Sequence, residues 1–414
     1  MPSSLLPRTR QLLSVCTLLL AACAPQAPKP ENVVQPNQRN TGYESAQFHA
    51  VQTSHGVFDA GPERLALALR SPESPGSYPL IIHLPGLGET IDSASGLLEH
   101  WAQAGYVVLS VQSTQDGPSV LGGAQAREGG LRGIAIAAHA PERLHQRLDN
   151  LDRLLRNLRQ PDAQSGLPRE ALGRIDFNRM LLAGLDIGAQ AAQAAGGEHG
   201  SGSGWVRPAS FRSLRGLILL SPHADTGGEP FATRYRDMNL PVLAVTSPED
   251  VDGFDFVTLP EIRKQVFRNM PAGQKFLLEL SSASHAVIGG GSGRGAGFMD
   301  IPGNRDNTRE RRASGPPPDA GGPGGRESGG APSGGMSKGG GGMPPGGRNM
   351  GGAPANSPSG TPSQPDSQDD QTLSLYATSL AFIDLALRED DIAQQWLRRD
   401  AKRWLGISGK LYAR

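Results

Sequence analysis

The sequence has 414 residues with 55 Gly, 34 Pro and 5 % aromatics, a length open to two or three domains and a composition that argues for fewer. Lys plus Arg and Asp plus Glu number 40 each, which excludes a basic nucleic-acid footprint and an acidic tail. What remains outside the Gly/Pro-rich stretches is long enough to bury one sizeable core. At the start, Arg8 and Arg10 precede an apolar run, Leu12 to Leu20, that is too short to span a bilayer and reads as a signal peptide.

That run ends in Leu20-Ala21-Ala22-Cys23, which resembles the lipobox of bacterial lipoproteins, where a Cys is acylated and becomes the mature N-terminus. The resemblance implies a signal peptide over residues 1–22, lipidation at Cys23 and, because Ala24 is not Asp, an outer-membrane anchor facing the periplasm. With Cys16 removed and Cys23 lipidated, no cysteine is left for a disulfide. Residues 23–50 are polar and Pro-rich and are expected to form a flexible tether.

From Val51 onward apolar strands alternate with amphipathic helices, the pattern of an α/β sheet. Strands are expected at Leu65–Leu69, Leu80–Leu84, Tyr106–Val111, Met180–Ala183, Leu214–Leu220, Pro241–Val245 and Lys275–Leu280. Helices are expected at Ser93–Ala104, Pro141–Leu158 and Ala189–Ala195, the second with Leu144, Leu148, Leu151, Leu155 and Leu158 on one face. Two closing helices are expected at Leu373–Leu387 and Ile392–Leu405. Residues 289–371 are rich in Gly, Pro, Ser and Asn and poor in aliphatics, too little to offset the entropy of ordering, so they read as a disordered insertion. The expected organisation is thus one domain over 51–288, completed by helices over 372–414.

The chemistry-bearing pattern begins at Met180-Leu181-Leu182-Ala183, a strand that runs into Gly184-Leu185-Asp186-Ile187-Gly188 and then a helix. This is the context of a nucleophile elbow, where flanking glycines permit a strained turn and close helix packing, with Asp186 at the nucleophile position. The one Gly-x-Ser-x-Gly match, Gly335 to Gly339, has no strand before it or helix after it and is a chance match. Asp250 or Asp252, after the strand Pro241–Val245, and His285, after the strand ending at Leu280, stand where an acid and a base would complete a triad. The backbone amides of Leu87 and Ile187 are the candidates for an oxyanion hole. No Cys-x-x-Cys or His-Glu-x-x-His spacing indicates a metal site, and no Gly-x-Gly-x-x-Gly follows the first strand, so neither a metal nor another cofactor is expected.

The ordered segments YPLIIHLPGLGET, LLEHWAQAGYVVLSVQ, MLLAGLDIGAQ, PVLAVTSPED and MPAGQKFLLELSSASHAVIGG resemble the secreted bacterial α/β-hydrolases related to dienelactone hydrolase and platelet-activating-factor acetylhydrolase. The resemblance covers roughly Val51 to Gly290. It implies a mostly parallel central sheet flanked by helices, without a cap domain, and hydrolysis of an ester or lactone by a serine or cysteine. Asp186 departs from that pattern, and QSTQDGPSV after Val111 lacks the His-Pro-Gly that many relatives carry there.

Three readings of Asp186 are open. It is a nucleophile toward a saturated carbon, as in haloalkane dehalogenases and epoxide hydrolases. Those enzymes hold the leaving group with a cap, for which the stretch Ser221 to Leu240 is too short, and often with a Trp beside the nucleophile, where this chain has Ile187. Alternatively ester hydrolysis proceeds with Asp186 as a general base or with another nucleophile; Ser221 and Ser284 lie near strand ends, and His223 is a further candidate to line the site. Or the protein is a pseudoenzyme that binds a ligand or envelope partner, with His285 held protonated between Asp186 and Asp250. The expected partners are an ester-like small molecule and, through Cys23, the membrane, with no nucleic acid. A structural lipoprotein that displays its low-complexity segment is a further alternative.

Overall fold

The computed structural model describes residues 42–200, 204–225, 227, 229–291 and 367–414. The signal peptide, Cys23 and nearly all of the low-complexity insertion lie outside the described residues.

Among the described residues, nine strands form one sheet in the order β1-β2-β4-β3-β5-β6-β7-β8-β9. They are β1 (Val51–Asp59), β2 (Arg64–Pro72), β3 (Tyr78–Leu84), β4 (Val107–Ser113), β5 (Ile175–Leu185), β6 (Leu214–Leu220), β7 (Val242–Thr246), β8 (Lys275–Leu280) and β9 (Gly409–Ala413). The six strands from β4 to β8 run parallel, while β1, β2 and β9 pair antiparallel at the two ends. The fold is therefore a mixed α/β architecture with a mostly parallel sheet.

Parallel strands joined by helical crossovers are covered on both faces, which is why their sequences are near-continuous apolar runs. Leu80, Ile82, Leu182, Leu217 and Leu219 face the helices Pro141–Leu158 and Ile187–Gly196. Their neighbours Ile81, Leu181, Ala183, Ile218, Leu243 and Leu278 face the helices Ser95–Gln103 and Ser367–Arg388. The small residues of Ile187–Gly196 let that helix lie close to the sheet, and all ten residues of the helix are buried.

The expected central strands and helices all occur, with shifts at their ends. β5 begins earlier than expected: Pro79 pairs with Asp176 but Leu80 pairs with Met180, so residues 177–179 bulge out of register. Elements not expected include β1, β9, the helix Leu131–Ala138 and several helices of four to six residues. Both edge strands are largely solvent-facing and lack an apolar alternation to read. The last expected helix is broken into Asp391–Gln395, a π turn at Trp396–Asp400 and Ala401–Leu405, started by the Asp390 carboxylate accepting from the Ala393 amide at 2.8 Å.

The expected tether ends before residue 50. Tyr43 is buried and donates to Asp384 at 2.7 Å, and the His49 amide donates to the Gln103 carbonyl at 2.8 Å, so residues 42–50 belong to the domain. The insertion's expected limits also contract. Gly289 to Gly291 close the turn after helix His285–Ile288 through amides that donate to the carbonyls of His285, Val287 and Ala286, and the returning helix starts at Ser367. Gln371, expected at the end of the insertion, is buried and donates to Ser282 Oγ at 2.6 Å.

Phe382 anchors the returning helix, fully buried edge-on against Phe276 with ring centroids 6.2 Å apart. Phe382→Ala is expected to lower unfolding free energy by about 3–5 kcal/mol in urea denaturation. Ile407→Ala, at a 94 % exposed position, is expected to change it by less than about 0.5 kcal/mol.

Candidate functional site

Asp186 sits on the turn between β5 and the helix Ile187–Gly196, with φ 52° and ψ −108°. A non-glycine residue in such a conformation costs about 1–3 kcal/mol and persists only where its surroundings over-determine it. Here they do. A Cβ on Gly188 would overlap the Leu84 carbonyl at the end of β3, and a Cβ on Gly184 would overlap the backbone of Gly188. The two glycines therefore let strand, turn and helix come together, while the Asp186 amide donates to the Leu220 carbonyl at 3.3 Å and the Gln190 amide to the Asp186 carbonyl at 2.9 Å.

The carboxylate is buried and meets a histidine that sequence reading missed. His139 Nε2 lies 3.2 Å from Asp186 Oδ1, and its Nδ1 donates to the Ala135 carbonyl at 2.8 Å. The ring stacks on both His223 (centroids 4.6 Å apart) and Phe256 (4.3 Å), which also lie against each other at 5.8 Å. Two glutamines of the elbow helix hold these histidines in place: Gln190 donates to the His139 carbonyl and Gln193 to the His223 carbonyl, each at 2.9 Å. Burial pushes the Asp186 carboxyl up, but the charge and hydrogen bond of His139, with help from His285 and Arg263, overcome it and hold the group far below the usual carboxylate range. Asp186 is an anion at neutral pH. Burial lowers His223 to about 4 despite Asp225 at 3.1 Å, so that ring is neutral.

Of the two acid candidates, Asp250 is the one bonded to His285. Asp250 Oδ1 accepts from His285 Nδ1 at 2.8 Å and from Ser221 Oγ at 2.6 Å. Its Oδ2 accepts from Thr246 Oγ1 at 2.8 Å and lies 3.3 Å from Arg263 Nε. Asp252 instead accepts the backbone amides of Phe254, Phe256 and Val257, fixing the loop that carries both aromatics. Burial favours neutral His285, yet the hydrogen bond and charge of Asp250, assisted by Asp186 and opposed by Arg263, raise its pKa. Arg263 and His285 in turn outweigh burial at Asp250 and keep its carboxyl low.

Leu87 and Ile187 are both buried beside the elbow, and among the described residues neither backbone amide has a protein acceptor. Leu185 packs against Gly86, where a Cβ would stand 3.1 Å from its Cδ2, which brings the loop of Leu87 onto the elbow. Ser221 is fully buried on the Asp250 side of the imidazole, bonded to Nδ1 at 3.1 Å, and Ser284 caps the helix His285–Ile288. Neither hydroxyl stands on the elbow.

A roof covers this arrangement. Leu87 and Ile187 form a cluster with Ala135, Ala138 and Phe254, joined by Val120, Leu121 and Phe256. Arg132 donates to the Asp255 carbonyl and ties the roof's two halves together. From the short stretch between Ser221 and Leu240, His223 stacks on Phe256 with ring centroids 5.8 Å apart. His139, Phe256 and Arg263 carried no sequence signal, because each lies far along the chain from Asp186 in a segment without a motif. Among the described residues no group of His, Cys, Asp and Glu could hold a metal ion.

No family model matches the chain, and no curated protein matches it.

The Asp186–His285 coupling is testable by NMR titration of the imidazole. Asp186→Asn removes one of the two carboxylates that favour the charged ring, so His285 is expected to titrate lower than in the native protein. A raised folded-state pKa stabilises the fold fully below the unfolded value of about 6.5 and loses that contribution as pH rises through the folded value. The native protein is therefore expected to lose stability in that window, and Asp186→Asn to lose less of it, in denaturation measured across pH.

Proposed function

We propose that this chain is an envelope-anchored hydrolase of the α/β-hydrolase fold in which Asp186 attacks the substrate in place of a serine. One observation carries the reading: an anionic carboxylate stands on the strained elbow, in the same site as a hydrogen-bonded Asp250–His285 pair and two amides without a protein acceptor among the described residues. The strand order, with these groups following β5, β7 and β8, supports that fold and the likeness to dienelactone hydrolase and platelet-activating-factor acetylhydrolase relatives.

The serine ester cycle fits this site poorly. It needs a hydroxyl at the elbow and a neutral base, whereas the elbow holds an anion and His285 is biased toward its protonated form. A carboxylate does suit displacement at a saturated carbon. Asp186 forms the new C–O bond, the bond to the leaving group breaks, and an ester of Asp186 results. Esterification removes the negative charge that favours imidazolium, so His285 becomes the base when one is needed. It then takes a proton from a water that attacks the ester carbonyl, and the alcohol leaves with Asp186 restored. The amides of Leu87 and Ile187 are suited to hold the oxyanion of that step. In place of a cap, residues 118–139 and 254–256 pack over Leu87 and Ile187, and His139 reaches Asp186 from this segment.

A second reading, a domain that binds a ligand without turnover, is favoured by the closure of the roof and by His139 holding Asp186 Oδ1. A trap separates the two. In His285→Ala the first step proceeds and the second does not, so incubation with short epoxides and alkyl halides is expected to leave an alkyl adduct on the peptide containing Asp186, seen by mass spectrometry. No adduct and no native turnover across the panel selects the binding reading. With p-nitrophenyl esters, Asp186→Ser is expected to gain turnover over the native protein.

The lipobox-like Leu20-Ala21-Ala22-Cys23 supports acylation of Cys23 and an outer-membrane location facing the periplasm. Among the described residues no helix is long and apolar enough to cross a membrane. Cys23→Ser is expected to move the protein from the membrane pellet to the soluble fraction; unchanged pelleting argues against the anchor.

A further inference from the structure

A third carboxyl borders the site and has no part in the steps above. Glu89 lies on the turn that follows β3, two residues after Leu87. Its Oε2 accepts from the Gly86 amide at 3.1 Å and from Ser93 Oγ at 3.0 Å. Its Oε1 has no hydrogen-bond partner among the described residues, and a Cβ on Gly289, just past the His285 helix, would stand 3.6 Å from it. Leu185, the neighbour of Asp186, packs against both Gly86 and Gly289. Glu89 is thus held beside the elbow, between the Leu87 loop and the helix of His285, with one oxygen fixed and the other open.

We infer that Glu89 is a catalytic acid, protonating through Oε1 a leaving oxygen displaced by Asp186, and that the substrate class is an oxygen electrophile such as an epoxide. This rests on the reading of Asp186 as nucleophile. Charge supports the assignment. Burial, and the charge of Asp186, favour the protonated form of Glu89 and outweigh the Gly86, Ser93 and His285 contributions that favour its anion, so its pKa is raised. Asp186 is pushed the other way. Two carboxyls in one site with pKa values driven apart divide into an acid and an anion.

The step balances. An oxygen of Asp186 bonds to a ring carbon, the ring C–O bond breaks, and its electron pair goes to the ring oxygen, which takes the Glu89 proton. Glu89 remains as carboxylate and regains a proton from solvent. A halide leaves as a stable anion and needs no such proton, so the leaving group separates this role from a structural one.

The test measures adduct formation on Asp186 in the full-length His285→Ala protein, with and without Glu89→Gln, using styrene oxide and 1-bromobutane. Adding Glu89→Gln is expected to slow the epoxide adduct about 100-fold, the scale of general acid catalysis, and to change the bromide adduct less than about twofold. The epoxide rate is also expected to fall as pH rises, a limb that Glu89→Gln abolishes. Equal slowing of both substrates makes Glu89 a structural support of the Gly86 turn and overturns the proposal; no slowing of either also overturns it. An epoxide adduct already missing in His285→Ala, with the bromide adduct intact, assigns the proton to His285 and overturns it while Asp186 stands as nucleophile. Absence of both adducts removes the Asp186 reading and this inference together.

Discussion

The site depends on one close approach: the backbone of Gly188 against the carbonyl of Leu84, made at the crossing of β3, the elbow and the helix Ile187–Gly196. No side chain fits there. This contact fixes the direction in which Asp186 leaves the strand and makes its unfavourable backbone conformation the cheapest available. It also sets where that helix starts, and hence where Gln190 and Gln193 reach His139 and His223. Leu185, one residue before Asp186, transmits the same geometry to Gly86 and Gly289, so the loop bearing Leu87 and the helix bearing His285 are packed against the elbow. The positions of five groups therefore follow from one backbone contact.

On that frame, charge decides chemistry. A serine at the same place would be neutral and would leave His285 balanced by Asp250 and Arg263. An aspartate adds a buried anion, which the protein stabilises with the hydrogen bond and charge of His139 and with the charges of His285 and Arg263. The consequence is a histidine that favours its charged form until Asp186 loses its own charge. In the proposed reaction, esterification of Asp186 would supply that loss and so free the base for the second half-reaction. Asp252, two residues after Asp250, contributes differently, by holding the loop that carries Phe254 and Phe256.

Much of this was legible in the amino-acid sequence, and the reasons are specific. The parallel strands show because both their faces are buried, as with Leu181 and Leu182, which face opposite layers. The elbow shows because Gly184 and Gly188 are demanded by sterics at fixed spacing around Asp186. β1 was hidden because its exposed Gln52, Thr53 and His55 leave no alternation, and the helix Leu131–Ala138 because it is short and follows Gly129 and Gly130. His139 was hidden for a different reason. Its partner is 47 residues away, and only the folded chain brings an isolated histidine to Asp186. The choice between Asp250 and Asp252 likewise turned on which carboxylate points at His285 and which folds back onto amides, a difference two residues of sequence do not encode.

The central claim is that Asp186 bonds to the substrate and is freed by water attacking its own carbonyl carbon. Isotope placement in a single turnover tests it most directly. With native protein in excess over an epoxide in oxygen-18 water, the account predicts label in the Asp186 side chain and none in the first-turnover product. Label in the product with Asp186 unlabelled would contradict it, because water would then have attacked the substrate itself.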